Sequence, residues 1–152
     1  MLTLKRIILI GRAECGKTTL TQALRGHKLQ YHKTQAVNRH DVVIDTPGEY
    51  AENRELARAL ILYSYEADVI ALMLSATEDY SLFSPNIAAG ATRPVIGIVT
   101  QIDQENARPD RAEAWLRLAG CKMVFHVSAF TGDGIEELLT YLDANSASDE
   151  NV

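Results

Sequence analysis

The residues best suited to chemistry in this chain stand close to its start. Gly11-Arg12-Ala13-Glu14-Cys15-Gly16-Lys17-Thr18 fits the spacing G-x-x-x-x-G-K-[ST], between the apolar run Ile7-Ile8-Leu9-Ile10 and a segment rich in helix formers. Glycines at both ends let a backbone curl so that successive N–H groups face one anion, and a following helix adds its positive dipole end. Such a loop binds phosphate. Lys17 would reach the β and γ phosphates of a nucleotide, the Thr18 hydroxyl would offer a hard oxygen to Mg²⁺, and Thr19 would join the residues that bind the nucleotide. A chance glycine-rich turn is the alternative, but strand and helix contexts on the correct sides make it the weaker one.

A second group follows the next apolar segment. In Asp45-Thr46-Pro47-Gly48-Glu49 a carboxylate could hold Mg²⁺ through water, and the Gly48 N–H could meet a γ phosphate. Taken alone, the same residues are ordinary turn chemistry. Farther on, Asp103 could accept from both the ring N–H and the exocyclic amine of guanine. Adenine lacks that amine and would leave an acceptor unpaired, at about 1–3 kcal/mol per group.

These groups need a scaffold that brings strand ends together. The run 7–10 is a strand buried on both faces, residues 18–25 a helix stopped by Gly26, and residues 35–40 and 42–44 two short strands. Residues 53–67 read as a helix, 69–74 as a strand, and 75–93 as irregular with a short helix after Pro85. Residues 94–100 read as a strand. Ala112, Trp115, Leu116 and Ala119 form the inner face of a helix closed by Gly120, 123–127 resume the sheet, and Ile135, Leu138, Leu139 and Leu142 mark a last amphipathic helix. Alternation of apolar strands with helices implies an α/β fold of about six strands, mostly parallel, with helices on both faces and the ligand site at the carboxyl ends of the strands.

Bulk composition agrees with one domain over residues 1–145 and a polar, disordered tail over 146–152. The 152 residues are 47% hydrophobic and 23% charged, enough for a core without metal or disulfide. A net charge of -5 argues against nonspecific nucleic-acid or anionic membrane binding, and no apolar run approaches the roughly 20 residues of a membrane span. The expected location is cytoplasmic. Cys15 and Cys121 read as two reduced thiols, and His27, His32, His40 and His126 make no metal spacing. Trp115 reads as core packing, and Arg12, Arg54 and Arg93 are arginines that could meet transferred phosphate or simply lie on the surface.

In their order along the chain, these elements resemble the Ras-like, translation-factor-related P-loop GTPases. The resemblance implies a three-layer P-loop fold, with a switch threonine at Thr34, a base-reading segment at Thr100-Gln101-Ile102-Asp103, and a base-contacting element at Ser128-Ala129. Thr34 is the only Ser or Thr between Thr21 and Asp45, so a hydroxyl closing on Mg²⁺ from this loop must be Thr34. Two positions depart from the pattern. Gln101 stands where the GTPases have a lysine, whose stem packs on the base and whose charge braces the phosphate loop. Glu49 stands where a glutamine orients attacking water, which implies slow hydrolysis with Glu49 as a weak base or a repelling charge. Glu14 should point away from phosphate or weaken its binding.

Longer phrases are similar to the ethanolamine and propanediol utilisation P-loop proteins of bacteria: Lys5-Arg6-Ile7, Leu20-Thr21-Gln22-Ala23-Leu24-Arg25-Gly26, Lys33-Thr34-Gln35-Ala36, Ile44 to Tyr50, Phe83-Ser84-Pro85 and Pro94 to Thr100. That resemblance implies GTP/GDP or ATP/ADP with Mg²⁺, and microcompartment shell or cargo proteins as partners. Three functions are then open: a slow nucleotide-dependent switch, an ATP-dependent acetate (carboxylate) kinase with Lys17 acting on the phosphate, and a scaffold that binds nucleotide without hydrolysing it.

Overall fold

Ile7, Ile8, Leu9 and Ile10 are all buried, which is why the first strand carries no polar alternation. The computed structural model describes residues 5–11, 15–31, 43–44, 53–81 and 83–143. Within them the strands are β1 (Ile7–Ile10), β2 (Val43–Ile44), β3 (Val69–Ser75), β4 (Val95–Thr100) and β5 (Val124–His126). They form one sheet in the order β2-β1-β3-β4-β5. Every neighbouring pair is parallel, with Ile8 opposite Ile44 and Ile70, Ala71 opposite Ile96, and Ile98 opposite Phe125.

Among the described residues four α-helices cover the sheet: α1 (Lys17–Tyr31), α2 (Asn53–Glu66), α3 (Pro109–Ala119) and α4 (Ile135–Leu142). Period-two alternation divides the strand residues between them. Ile7, Leu9, Ala71, Met73 and Ile98 pack with Leu20 and Leu24 of α1 and with Ile135, Leu138, Leu139 and Leu142 of α4. On the other face, Ile8, Ile10, Ile70, Leu72, Leu74 and Val99 pack with Leu56 and Leu60 of α2 and with Ala112, Leu116 and Ala119 of α3. Each fully buried Leu or Ile contributes about 1.5–3 kcal/mol. The expected α/β class, parallel sheet and helices on both faces are borne out. The strand expected at 35–40 and the tail at 146–152 lie outside the described residues.

One expectation is corrected. Gly26 does not stop α1, which continues to Tyr31. Glycine ends a helix by taking a left-handed conformation just after it, and Gly26 is not among the residues with positive φ. Lys28, Leu29 and Gln30 are good helix formers, so the penalty of about 1 kcal/mol for an internal glycine is absorbed. Gly120 behaves as expected, with φ 115 and its N–H bonded to the Arg117 carbonyl. The short helix after Pro85 is a 3-10 turn, Ile87–Gly90. Trp115 packs against the second core, with the Arg111 guanidinium 5.0 Å from its ring centre.

Chain order is what makes a site. From β1 the chain goes to β2 on one side and then to β3 on the other, which opens a crevice at the carboxyl end of β1. The glycine-rich loop begins there.

Candidate functional site

Gly11 follows β1 directly and is pressed against its neighbours. A Cβ at this position would lie 2.7 Å from Cys15 Sγ and 3.0 Å from the Met73 carbonyl oxygen, so only glycine fits without movement. Cys15 is buried in the first core, and that burial pushes its thiol up to about 11. It is a protonated packing group at neutral pH. Cys121 is likewise free and buried, with its thiol pushed up to about 12. Gly16 has φ +94, after which α1 starts at Lys17. The Leu20 N–H donates to the Gly16 carbonyl at 2.8 Å, closing the first turn. Helical geometry leaves the N–H groups of that turn aimed outward, with the dipole's positive end, beside the exposed side chains of Thr18 and Thr19.

The end of β4 is fastened to this loop. Buried Thr100 donates its hydroxyl to the Cys15 carbonyl at 2.5 Å. Next, Gln101 adopts φ 58, and its Oε1 accepts from the buried Ser75 hydroxyl at 2.5 Å, itself at the end of β3. With the oxygen held there, Nε2 faces the loop, 3.8 Å from where a Gly16 Cβ would stand. The glutamine at the lysine position thus lies between Ser75 and Gly16.

Asp103 is exposed, and its Oδ1 accepts from the Ser128 hydroxyl at 2.8 Å. Ser128 is completely buried and is held in turn: its N–H donates to the Asp133 carbonyl at 2.9 Å, its carbonyl accepts from the Gly132 N–H at 2.8 Å, and its Oγ accepts from the Thr131 N–H at 3.1 Å. Gly134 makes this turn possible. It has φ +79, and a Cβ there would fall 2.1 Å from the His126 carbonyl oxygen.

Together these elements bound a cleft of about 340 Å³ whose lining includes Gly16, Thr19, Gln101, Asp103, Ala129 and Phe130. The structure therefore brings Gly16, Thr19, Thr100, Gln101, Asp103, Ser128 and Ala129, drawn from separate segments, to one place, with Lys17 and Thr18 on the adjoining helix turn. Arg12, Ala13, Glu14, Thr34, Asp45, Gly48 and Glu49 lie outside the described residues. Arg93 does not reach the cleft: it precedes β4, at the opposite end of the sheet, and its Nε donates to the Ser64 carbonyl at 3.0 Å. His126 is paired with Glu113 at 2.6 Å, and no group of His, Cys, Asp and Glu among the described residues could hold a metal.

Sequence reasoning missed Ser75, Gln104, Phe130 and Gly134. Gly134 had a legible signal, since Gly132-Asp133-Gly134 immediately precedes an amphipathic helix. Ser75 had none, because its partner is 26 positions away.

A parallel sheet with its glycine-rich, lysine-bearing loop at the switch point and an acidic residue at the end of β4 defines the P-loop GTPase fold. Translation elongation factor SelB from Methanococcus maripaludis, solved with the GTP analogue GppNHp, superposes with a TM-score of 0.59 at 22% identity, covering 91% of this chain and 33% of that one. The family model described as ethanolamine utilisation - propanediol utilisation matches residues 4–144, and the chain belongs to that family. It is 48% identical over 148 residues to the propanediol utilization protein PduV of Citrobacter freundii, covering 95% of this chain and 97% of that protein. It is 32% identical over 156 residues to the probable acetate kinase EutP of Salmonella typhimurium, covering 98% and 96%. GTPase Era of Sinorhizobium medicae is 30% identical over 163 residues, covering 90% of this chain and 51% of that protein.

Proposed function

We propose that this protein binds GTP and GDP with Mg²⁺ and works as a slow nucleotide-dependent switch in propanediol or ethanolamine utilisation. The observation that carries this reading is Asp103, fixed by Ser128 at 2.8 Å on a cleft that Gly16 and Thr19 also line. A carboxylate held in that place matches two adjacent donors on guanine and offers adenine nothing for its second oxygen. The Lys17 ammonium and the first-turn N–H groups of α1 meet the β and γ phosphates.

Mg²⁺ prefers oxygen ligands, and Thr18 presents a hydroxyl from the exposed side of the first turn of α1. Thr34, and Asp45 through water, complete the protein's share of that ligand set. The ion, when bound, offsets charge on the phosphates. Gly48 and Thr34 respond to the γ phosphate, and its loss releases the two segments that carry them to a partner, of which microcompartment shell or cargo proteins are the leading class. With a carboxylate at Glu49 in place of a water-orienting amide, hydrolysis is expected near the roughly 10⁻⁴ s⁻¹ of unaided Ras-like proteins. Single-turnover phosphate release measures it, and a much faster rate argues against the switch.

The similarity to a relative described as a probable acetate kinase supports a second reading, transfer of phosphate from ATP to a carboxylate. Calorimetric titration of nucleotide-free protein with GDP and then ADP, in Mg²⁺, separates the two. Tighter GDP binding supports the switch. Equal or tighter ADP binding, with acceptor-dependent ATP consumption abolished by Lys17→Ala, supports the kinase. No helix among the described residues is long and apolar enough to cross a membrane.

A further inference from the structure

A second cavity opens at the other end of the sheet, where β4 and β5 begin. It holds about 660 Å³, against about 340 Å³ for the cleft, and so has room for a small molecule. Small residues keep it open. Ala88 and Ala89 of the 3-10 turn line one side, and Gly120 approaches so closely that a Cβ there would lie 3.0 Å from the Ala88 Cβ. Met123 and Tyr141 add apolar surface to the lining.

Charge sets this cavity apart from the rest of the molecule. The chain carries 20 acidic residues against 15 Lys and Arg, yet among the described residues the lining holds Arg93 and Lys122 and no carboxylate. Lys5 adds a cation beside it, its ammonium 5.6 Å from the centre of the Tyr141 ring. Both lining cations stand on fastened supports. The Arg93 Nε donates to the Ser64 carbonyl at 3.0 Å, the Thr92 N–H donates to the Ser64 hydroxyl at 3.2 Å, and the Lys122 carbonyl accepts from Arg117 at 3.1 Å. Among the described residues the Lys122 ammonium has no partner and the Arg93 guanidinium has none beyond Ser64, so the fold leaves most of their hydrogen-bonding capacity unused.

We infer that this cavity is a second anion site, which takes a small phosphorylated organic molecule. A phosphate monoester carries about -1.5 to -2 charge at pH 7 and three acceptor oxygens, which suits two cations, whereas a carboxylate brings a single charge. Its carbon body has Met123 and Tyr141 to lie on. Cavity and cleft stand at opposite ends of the strands, so the inference does not rest on the nucleotide reading.

The test is calorimetric titration of phenyl phosphate, benzoate and inorganic phosphate into the full chain carrying Lys17→Ala, which takes the cation of the glycine-rich loop out of competition. Phenyl phosphate should bind, and benzoate and inorganic phosphate should each bind about tenfold more weakly or worse. Lys122→Gln, added to that background, should weaken phenyl phosphate by about tenfold. Ala89→Phe keeps every charge and fills the cavity, so it should abolish binding, and since Ala89 is exposed the melting temperature should hold. No binding of phenyl phosphate, binding indifferent to Lys122→Gln or to Ala89→Phe, or benzoate or inorganic phosphate binding as tightly would overturn the inference. Binding that appears only when Lys17 is restored would put the anion on the glycine-rich loop, and would overturn it as well.

Discussion

The two halves of the cleft are built by different means. At the phosphate-loop end the shape depends on what is missing: Gly11 has no Cβ to strike Cys15 and Met73, and the contacts on offer are backbone N–H groups. At the other end, the proposed base end, the shape depends on side-chain hydroxyls. Ser75 holds Gln101, and Ser128 holds Asp103. A backbone cradle tolerates most side chains provided its glycines stay, whereas a hydroxyl network can hold either an amide or a charge. On the proposed nucleotide reading, that difference would let a glutamine occupy the lysine position with the site kept.

The sharpest way to break this comparison is Gly134→Ala, because it tests whether the base end also rests on one glycine. A Cβ 2.1 Å from a carbonyl oxygen, at φ +79, combines a backbone clash with conformational strain. The expected loss is about 3 kcal/mol or more in urea unfolding. A loss under about 1 kcal/mol means that the turn can shift and that Ser128 alone fixes it.

Thr100→Val comes next, since this hydroxyl is the bond that joins the halves. Removing it leaves the Cys15 carbonyl without its donor, at about 1–3 kcal/mol, and lets the loop drift from β4. Thr100→Ser should restore most of the stability and the GDP affinity, which a purely steric role for the threonine would not allow.

Much of this arrangement was legible beforehand, for reasons that differ by residue. Gly11, Gly16, Lys17 and Thr18 are contiguous with a strand and a helix, so local pattern suffices. Asp103 could be found because the resemblance to the GTPase pattern marks Thr100-Gln101-Ile102-Asp103, and a carboxylate there suits the two donors of guanine. The Ser75 to Gln101 and Thr100 to Cys15 bonds were not legible, because each joins segments that only the sheet order makes neighbours. Gly26 was misread for a related reason. A glycine's identity does not say which φ it adopts, and α1 runs through it.

Gly26→Ala turns that correction into a control. A Cβ there meets nothing within 4 Å inside a helix, so the change should stabilise by about 0.5–1 kcal/mol. Destabilisation would show that helix position alone does not separate the dispensable glycine from the required ones.

The smallest effect belongs to Glu113, whose carboxylate takes hydrogen bonds from Arg117 at 2.7 Å and His126 at 2.6 Å, away from the cleft. The Arg117 guanidinium, and then His126, hold its carboxyl below the ordinary value of 4.5. This stabilisation is present in full above the unfolded value and is lost as pH falls through the lower folded value. The pair is partly solvated, so Glu113→Gln should lower stability at pH 7 by no more than about 1 kcal/mol and flatten its loss below pH 4.5. Nucleotide affinity should not change, which would separate ion pairing along α3 and to β5 from hydroxyl bracing in the cleft.

The most direct test of base reading by Asp103 is one affinity ratio, GDP against xanthosine diphosphate, measured calorimetrically for the wild type and for Asp103→Asn. Xanthine carries an oxygen where guanine has its amine, so an amide that donates suits it where a carboxylate does not. The wild type should favour GDP by about tenfold or more, and the variant should reverse that preference. A wild type that binds both alike, or a variant that still prefers GDP, would contradict the assignment of Asp103 as the residue that reads the base.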